Sequence, residues 1–115
     1  MKRILFLPVG DRDNPSSRLI CYENAKYLKR LGWPVAVGGN PDEFDIIIFQ
    51  KRLDAPDYLL AKKLKGRKKI VFQLSEAYHL HPNWANRVGR FAKLADVSVA
   101  GTPMIQNYFR NSSTE

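Results

Sequence analysis

The chain of 115 residues has one cysteine, Cys21. No disulfide can close within it, and no cysteine cluster can hold zinc. Long hydrophobic runs are missing too. No stretch approaches the ~20 apolar residues that cross a bilayer. The opening "MKRILFLPVGD" starts basic, but its apolar run is too short for a secretion signal and ends in Gly-Asp-Arg. A cytoplasmic address is therefore expected, and there the "NSS" at Asn111 carries no meaning as a glycosylation pattern. His79 and His81 are the only histidines, flanking Leu80 ahead of a proline. With no third ligand nearby in sequence, no metal site is expected. Acidic residues are scarce beside basic ones, 11 against 19, for a net charge of +8 and a pI near 9.8. That imbalance favours anionic partners: nucleic acid, acidic lipid head groups or phosphorylated ligands.

What is present belongs to a globular chain, 44% hydrophobic and 26% charged. Its length suits one domain, burying roughly two-thirds of the unfolded surface around a single core. We assign residues 1–110 to that domain and 111–115 to a polar tail or truncation point. "RILFLPV" (3–9), "DIIIFQ" (45–50), "KIVFQL" (69–74) and "VSVAG" (97–101) are continuous apolar runs, and "PVAVGG" (34–39) is a shorter fifth. Such runs suit strands covered on both faces of a parallel sheet.

Helical patterns lie between them. Residues 15–31 place Ile20, Cys21, Asn24, Ala25, Tyr27, Leu28 and Leu31 on one arc, with Gly32 as the stop. Segment 56–65 follows Asp54 and Ala55 and ends at Gly66. Segment 83–95 sets Trp84, Val88, Phe91 and Ala95 on one stripe, and Thr102-Pro103 opens a last helix of about two turns. The basic run "KKLKGRKK", Lys62 to Lys69, reads first as a solvated helix end, because cations there complement the helix dipole.

Alternating strands and helices predict a doubly wound α/β fold, a Rossmann-like three-layer sandwich with right-handed crossovers. The link "NPDEF" between the second and third strands has no room for a helix, so the expected strand order is 2-1-3-4-5. In such sheets the ligand crevice lies beyond the C-terminal strand ends, where the order reverses. Here that point falls between strands one and three. The first loop brings Gly10, Asp11, Asn14, Ser16, Ser17 and Arg18; the loop after strand three brings Gln50, Lys51 and Arg52. Ser75, Glu76 and His79 follow strand four, and Thr102 follows strand five. Several of these have purely structural roles open to them. Asn14 before Pro15, or Ser16, would serve as an ordinary N-cap. The same helix amides could hold an anion with the help of Arg18. Lys51 and Arg52 are equally readable as solvated loop charges, and Asn24 as a hydrogen-bonding partner of a neighbouring loop.

The ordered motifs carry a family likeness. "NPSSRLICYENAKYLKRLGWPVAV" resembles the start of family 4 glycosyltransferases of the GT-B fold, where a polar loop enters an Arg-containing helix ahead of a Leu-x-x-x-Gly-x-x-Val step. "FDIIIFQKR" resembles that family's third core strand, "KKIVFQLSEAYHL" the next, and "LADVSVAGTPMIQNYF" the Ala-Asp-x-Val step after it. The resemblance covers nearly the whole chain in the right order. It implies an acceptor-binding N-terminal domain, with a sugar or lipid-linked acceptor as ligand and no cofactor of its own. The nucleotide-sugar would bind a second domain carrying a Glu-x7-Glu motif, which this sequence lacks, so the chain alone is expected to be inactive. The family's Gly-Gly loop is reduced to Gly10. The family histidine after strand four maps loosely to His79, because Glu76 stands nearer the strand end; these two are the catalytic candidates.

Other classes compete less well. A receiver domain needs an aspartate at the end of strand three, where Gln50-Lys51-Arg52 stands. A dinucleotide module needs Gly-x-Gly-x-x-Gly after strand one, and "VGDRDN" does not supply it. The runner-up is a basic non-enzymatic module binding nucleic acid or another anionic ligand, with Trp84, Tyr78 and Phe109 as stacking residues. Finally, Trp84, Arg87, Arg90 and Lys93 recur every three residues and form a slanting ridge on one helix. A ridge led by tryptophan suits attachment to an anionic membrane surface, equally matched by the reading in which Trp84 packs on the core.

Overall fold

The computed structural model describes residues 2–8, 21–50, 54–74, 80, 82, 84–100 and 103–112. Five strands form one parallel sheet in the order β2-β1-β3-β4-β5, as expected from the short second link. They are β1 (Ile4–Leu7), β2 (Val35–Val37), β3 (Ile46–Gln50), β4 (Lys69–Leu74) and β5 (Val97–Ala100). The helices are α1 (Glu23–Arg30), α2 (Ala55–Leu64), α3 (Ala85–Leu94) and α4 (Pro103–Ser112). This is a Rossmann-like α/β architecture. The β2–β3 link needs only a 3-10 turn at Pro41–Glu43, where the Asp42 amide donates to the Asn40 side chain at 3.1 Å.

Each strand's alternation assigns its side chains to two faces. On one face Leu5, Ile47 and Ile70 stand in register across β1, β3 and β4, each fully buried. Phe49 and Phe72 continue that face and meet Ala61 and Leu64 of α2, Val88, Phe91 and Ala92 of α3, and Ile105 of α4. Phe91 is its centre: its ring stacks on Phe72 at 4.9 Å and tilts against Phe49 at 5.3 Å. On the other face Ile4, Phe6 and Val35 pack with Cys21 and Ala25, beside Leu28.

The covering helix on this second face is narrower than its sequence arc. Asn24, Tyr27 and Leu31 are exposed, because α1 sits over β1 and β2 and touches them through Ala25 and Leu28, with Cys21 just ahead of the helix. The expectation of strands covered on both faces also fails at β5. Val97 is 47% exposed and Val99 44%, and no helix among the described residues packs over them.

Local chemistry explains the helix ends. Gly32 adopts φ +94 after α1. Its amide donates to the Lys29 carbonyl at 3.0 Å, and the Trp33 amide donates to that of Leu28 at 3.0 Å. This is a Schellman closure, which a β-carbon at that φ would strain. Helix α2 starts at Ala55, one residue earlier than expected, with Pro56 in its first turn. Asp54 precedes it in extended conformation, but its carboxylate makes no cap and turns to Arg87. Helix α3 is shorter than the 83–95 pattern; α4 takes ten residues and runs through Asn111 to Ser112.

The basic run splits by position. Lys62 and Lys63 are exposed in the last turn of α2. Lys65 pairs with Asp96, and Lys68 donates to the Asp42 carbonyl at 3.1 Å. No helix among the described residues is long and apolar enough to cross a membrane.

Candidate functional site

The strand order reverses between β1 and β3, so the crevice expected from topology opens beyond Leu7 and Gln50. Most of the candidates proposed for it fall outside the described residues. These are Gly10, Asp11, Asn14, Ser16, Ser17 and Arg18 of the first loop, Lys51 and Arg52, Ser75, Glu76 and His79, and Thr102. Tyr78 and His81 lie outside them as well.

Gln50 is placed. It ends β3, is 1% exposed, and stands in register with Gln73 of β4, itself buried. Two amide side chains therefore lie side by side beneath the C-terminal strand ends. The Cys21 thiol donates to Gln50 Oε1 at 3.6 Å. Gln50 is thus a buried residue at the C-terminal end of β3. Gln73 was not singled out from the sequence. The available signal was the repetition of a glutamine at the same end of consecutive apolar strands, "IIIFQ" and "IVFQL".

Burial raises the Cys21 thiol to about 12, so it stays neutral at physiological pH. Nucleophilic and metal-binding cysteines act as thiolates. Cys21 is thus a small core side chain with a hydrogen bond. Among the described residues no group of three or more His, Cys, Asp or Glu side chains gathers as a metal site.

A second cluster lies between α2 and α3, on the outside of the sandwich. A groove of about 280 Å³ is lined by Ala55, Tyr58 and Leu59 on one side and Arg87, Arg90 and Phe91 on the other. The tryptophan of the sequence ridge turns out to pack partly buried against the core. The Arg87 guanidinium lies 4.8 Å from its ring centroid, and that of Arg90 lies 4.3 Å from the Tyr58 centroid. Arg87 also pairs with exposed Asp54 at 3.3 Å. The arginines face the groove and Trp84 does not lead the ridge, since its apolar ring gains more by covering Phe91's neighbours than by facing solvent.

The opposite, N-terminal edge of the sheet carries structural charge. Asp96 accepts the Ile70 amide at 2.7 Å and the Lys65 ammonium at 2.8 Å. Its burial pushes the pKa up, but the amide bond and then Lys65 outweigh that and hold the carboxyl below the usual range. Asp45 accepts the Arg3 amide at 2.8 Å, and chiefly for that reason is also held low. Both acids are committed to pinning strand starts.

No protein family model matches this chain, and neither a curated protein nor a solved structure shows significant similarity to it.

Proposed function

We propose that this chain is the acceptor-side domain of a two-domain glycosyltransferase, inactive in sugar transfer without a partner domain that binds the nucleotide-sugar. The observation that carries the reading is the agreement between motif and element. "FDIIIFQ" runs into and along β3, "KIVFQL" is β4, and "LADVSVAGTPM" passes from the end of α3 through β5 into α4. The described parts of these segments lie on successive parallel strands and the helices beside them, which supports the reading. The crevice at the β1–β3 reversal would take the sugar or lipid-linked acceptor, floored by Gln50 and Gln73 and walled by the polar loop residues named above. Glu76 and His79 are the candidates for proton transfer. Work on a lipid-linked acceptor would place the protein on the cytoplasmic side of a membrane surface, and the net charge of +8 suits that position.

The test is to assay the chain alone with a panel of nucleotide-sugars, then with a candidate donor domain added. No turnover alone and turnover with the second domain are expected. Turnover by the 115 residues alone would overturn the reading. A downstream reading frame without a second α/β domain bearing Glu-x7-Glu would overturn it too.

A further inference from the structure

The groove between α2 and α3 has a construction that solvated surface charge does not need. Its floor is apolar: Phe91 is fully buried, and Tyr58 meets it edge-on at 5.9 Å. Leu59 lines the groove yet is 62% exposed, an apolar side chain left standing at its mouth. Two guanidiniums three residues apart on α3 rise beside this floor. Each lies over an aromatic ring, which restrains the side chain while leaving the N–H donors of the guanidinium edge available for oxygen acceptors. Stacking lowers the conformational entropy that the arginines still have to lose on binding an anion. Lys62 follows Tyr58 by four residues on α2, and Lys93 follows Arg90 by three on α3, so positive charge extends along the groove in one direction. Asp54, which pairs with Arg87 there, is exposed, and a pair between exposed side chains is weak and easily exchanged.

We propose that this groove binds the phosphate head group of an anionic lipid at a membrane surface, with Arg87 and Arg90 on the phosphate oxygens and Leu59 at the acyl boundary. Bare phosphate would use the arginines but leave Leu59 without a role. A nucleic acid would use the charge and the rings but has no need of a protruding leucine. The proposal rests on the membrane-surface part of the proposed function and is independent of sugar transfer.

The experiment is co-sedimentation of the whole chain with vesicles of phosphatidylcholine, with and without phosphatidylglycerol, at physiological salt. Binding that requires phosphatidylglycerol is expected. R87Q/R90Q should weaken it about thirtyfold, since each basic residue at an anionic surface contributes roughly a fivefold factor. K26Q/K29Q on α1 removes the same charge elsewhere and should cost less than about threefold on that scale. L59S should weaken binding with no change in charge, and D54N should strengthen it. Circular dichroism of each variant separates loss of the site from loss of the fold. Equal losses for the two double variants would reduce the effect to diffuse charge and overturn the proposal. Inorganic phosphate bound through Arg87 and Arg90, with L59S silent on vesicles, would overturn the lipid as its source. Stronger dependence on these arginines with an oligonucleotide than with vesicles would overturn it in favour of nucleic acid. Failure here leaves the sugar-transfer assay unaffected, and failure there leaves this result standing.

Discussion

The two faces of the sheet are made from similarly apolar strands, yet they are buried very differently. On the face beneath α2, α3 and α4, the ladder Leu5–Ile47–Ile70 has no solvent exposure at any step. On the other face the ladder Phe6–Ile48–Val71–Val97 starts at 5% exposed beside α1 and ends at 47% on β5. Burial follows helix cover, and the apolar character of a strand is only a precondition for it. The face with three helices encloses the aromatic centre of the molecule, whereas among the described residues only α1 covers the β1–β2 side of the other.

The comparison breaks most directly at Phe72. Its replacement by alanine leaves a cavity between the sheet and Phe91, and a loss of about 3–5 kcal/mol is expected in urea unfolding. A loss under ~1 kcal/mol would mean that the three-helix face is less tightly filled than its geometry states.

A middle-sized effect is expected at Asp96. Because β5 is covered from one side only among the described residues, its attachment leans on the carboxylate that ties its start to Ile70 and Lys65. Asp96→Asn should cost about 1–2 kcal/mol, the ion pair being partly screened by solvent. The acid's pKa is lower in the folded state than in the unfolded chain. Its contribution is therefore complete above the unfolded value of about 4 and disappears as pH falls through the lowered folded value. Unfolding followed against pH should show a shallower acid slope in Asp96→Asn than in the parent. Identical slopes would remove Asp96 from the acid response.

The smallest effect is expected on the open face. Val97→Thr with Val99→Thr should change stability by no more than ~0.5 kcal/mol, since the side chains already meet water and threonine keeps the β-branch. A loss near that of Phe72→Ala would show that this face is covered in solution, and analytical ultracentrifugation would then report a change in association state.

How much of this was legible differs along the chain. Strands β1, β3 and β4 stood out as continuous apolar runs, and the five-residue link "NPDEF" was enough to indicate the strand order. The arc of α1 misled because helical periodicity marks a wide face without saying how much of it a neighbour will occupy. Asn24, Tyr27 and Leu31 lie on that arc, outside the contact with β1 and β2. For the crevice, topology indicated which loops to examine, but the burial of Gln50 beside Gln73 depends on β4 lying next to β3. The spacing of Arg87 and Arg90 was visible as a ridge. The Tyr58 ring beneath Arg90 was not, since it comes from another helix 32 positions away by the residue numbers.

The sequence by itself determined the alternation of strand and helix, the strand order and the positive net charge, because periodicity, link length and composition are local properties or sums over the chain. The tertiary structure decided which of two apolar faces is dry, that Trp84 packs on the core, and that Arg87 and Arg90 line a groove opposite Tyr58 and Leu59. Those outcomes depend on which elements lie against one another, and residues distant in the chain become partners only when the sheet and its helices close.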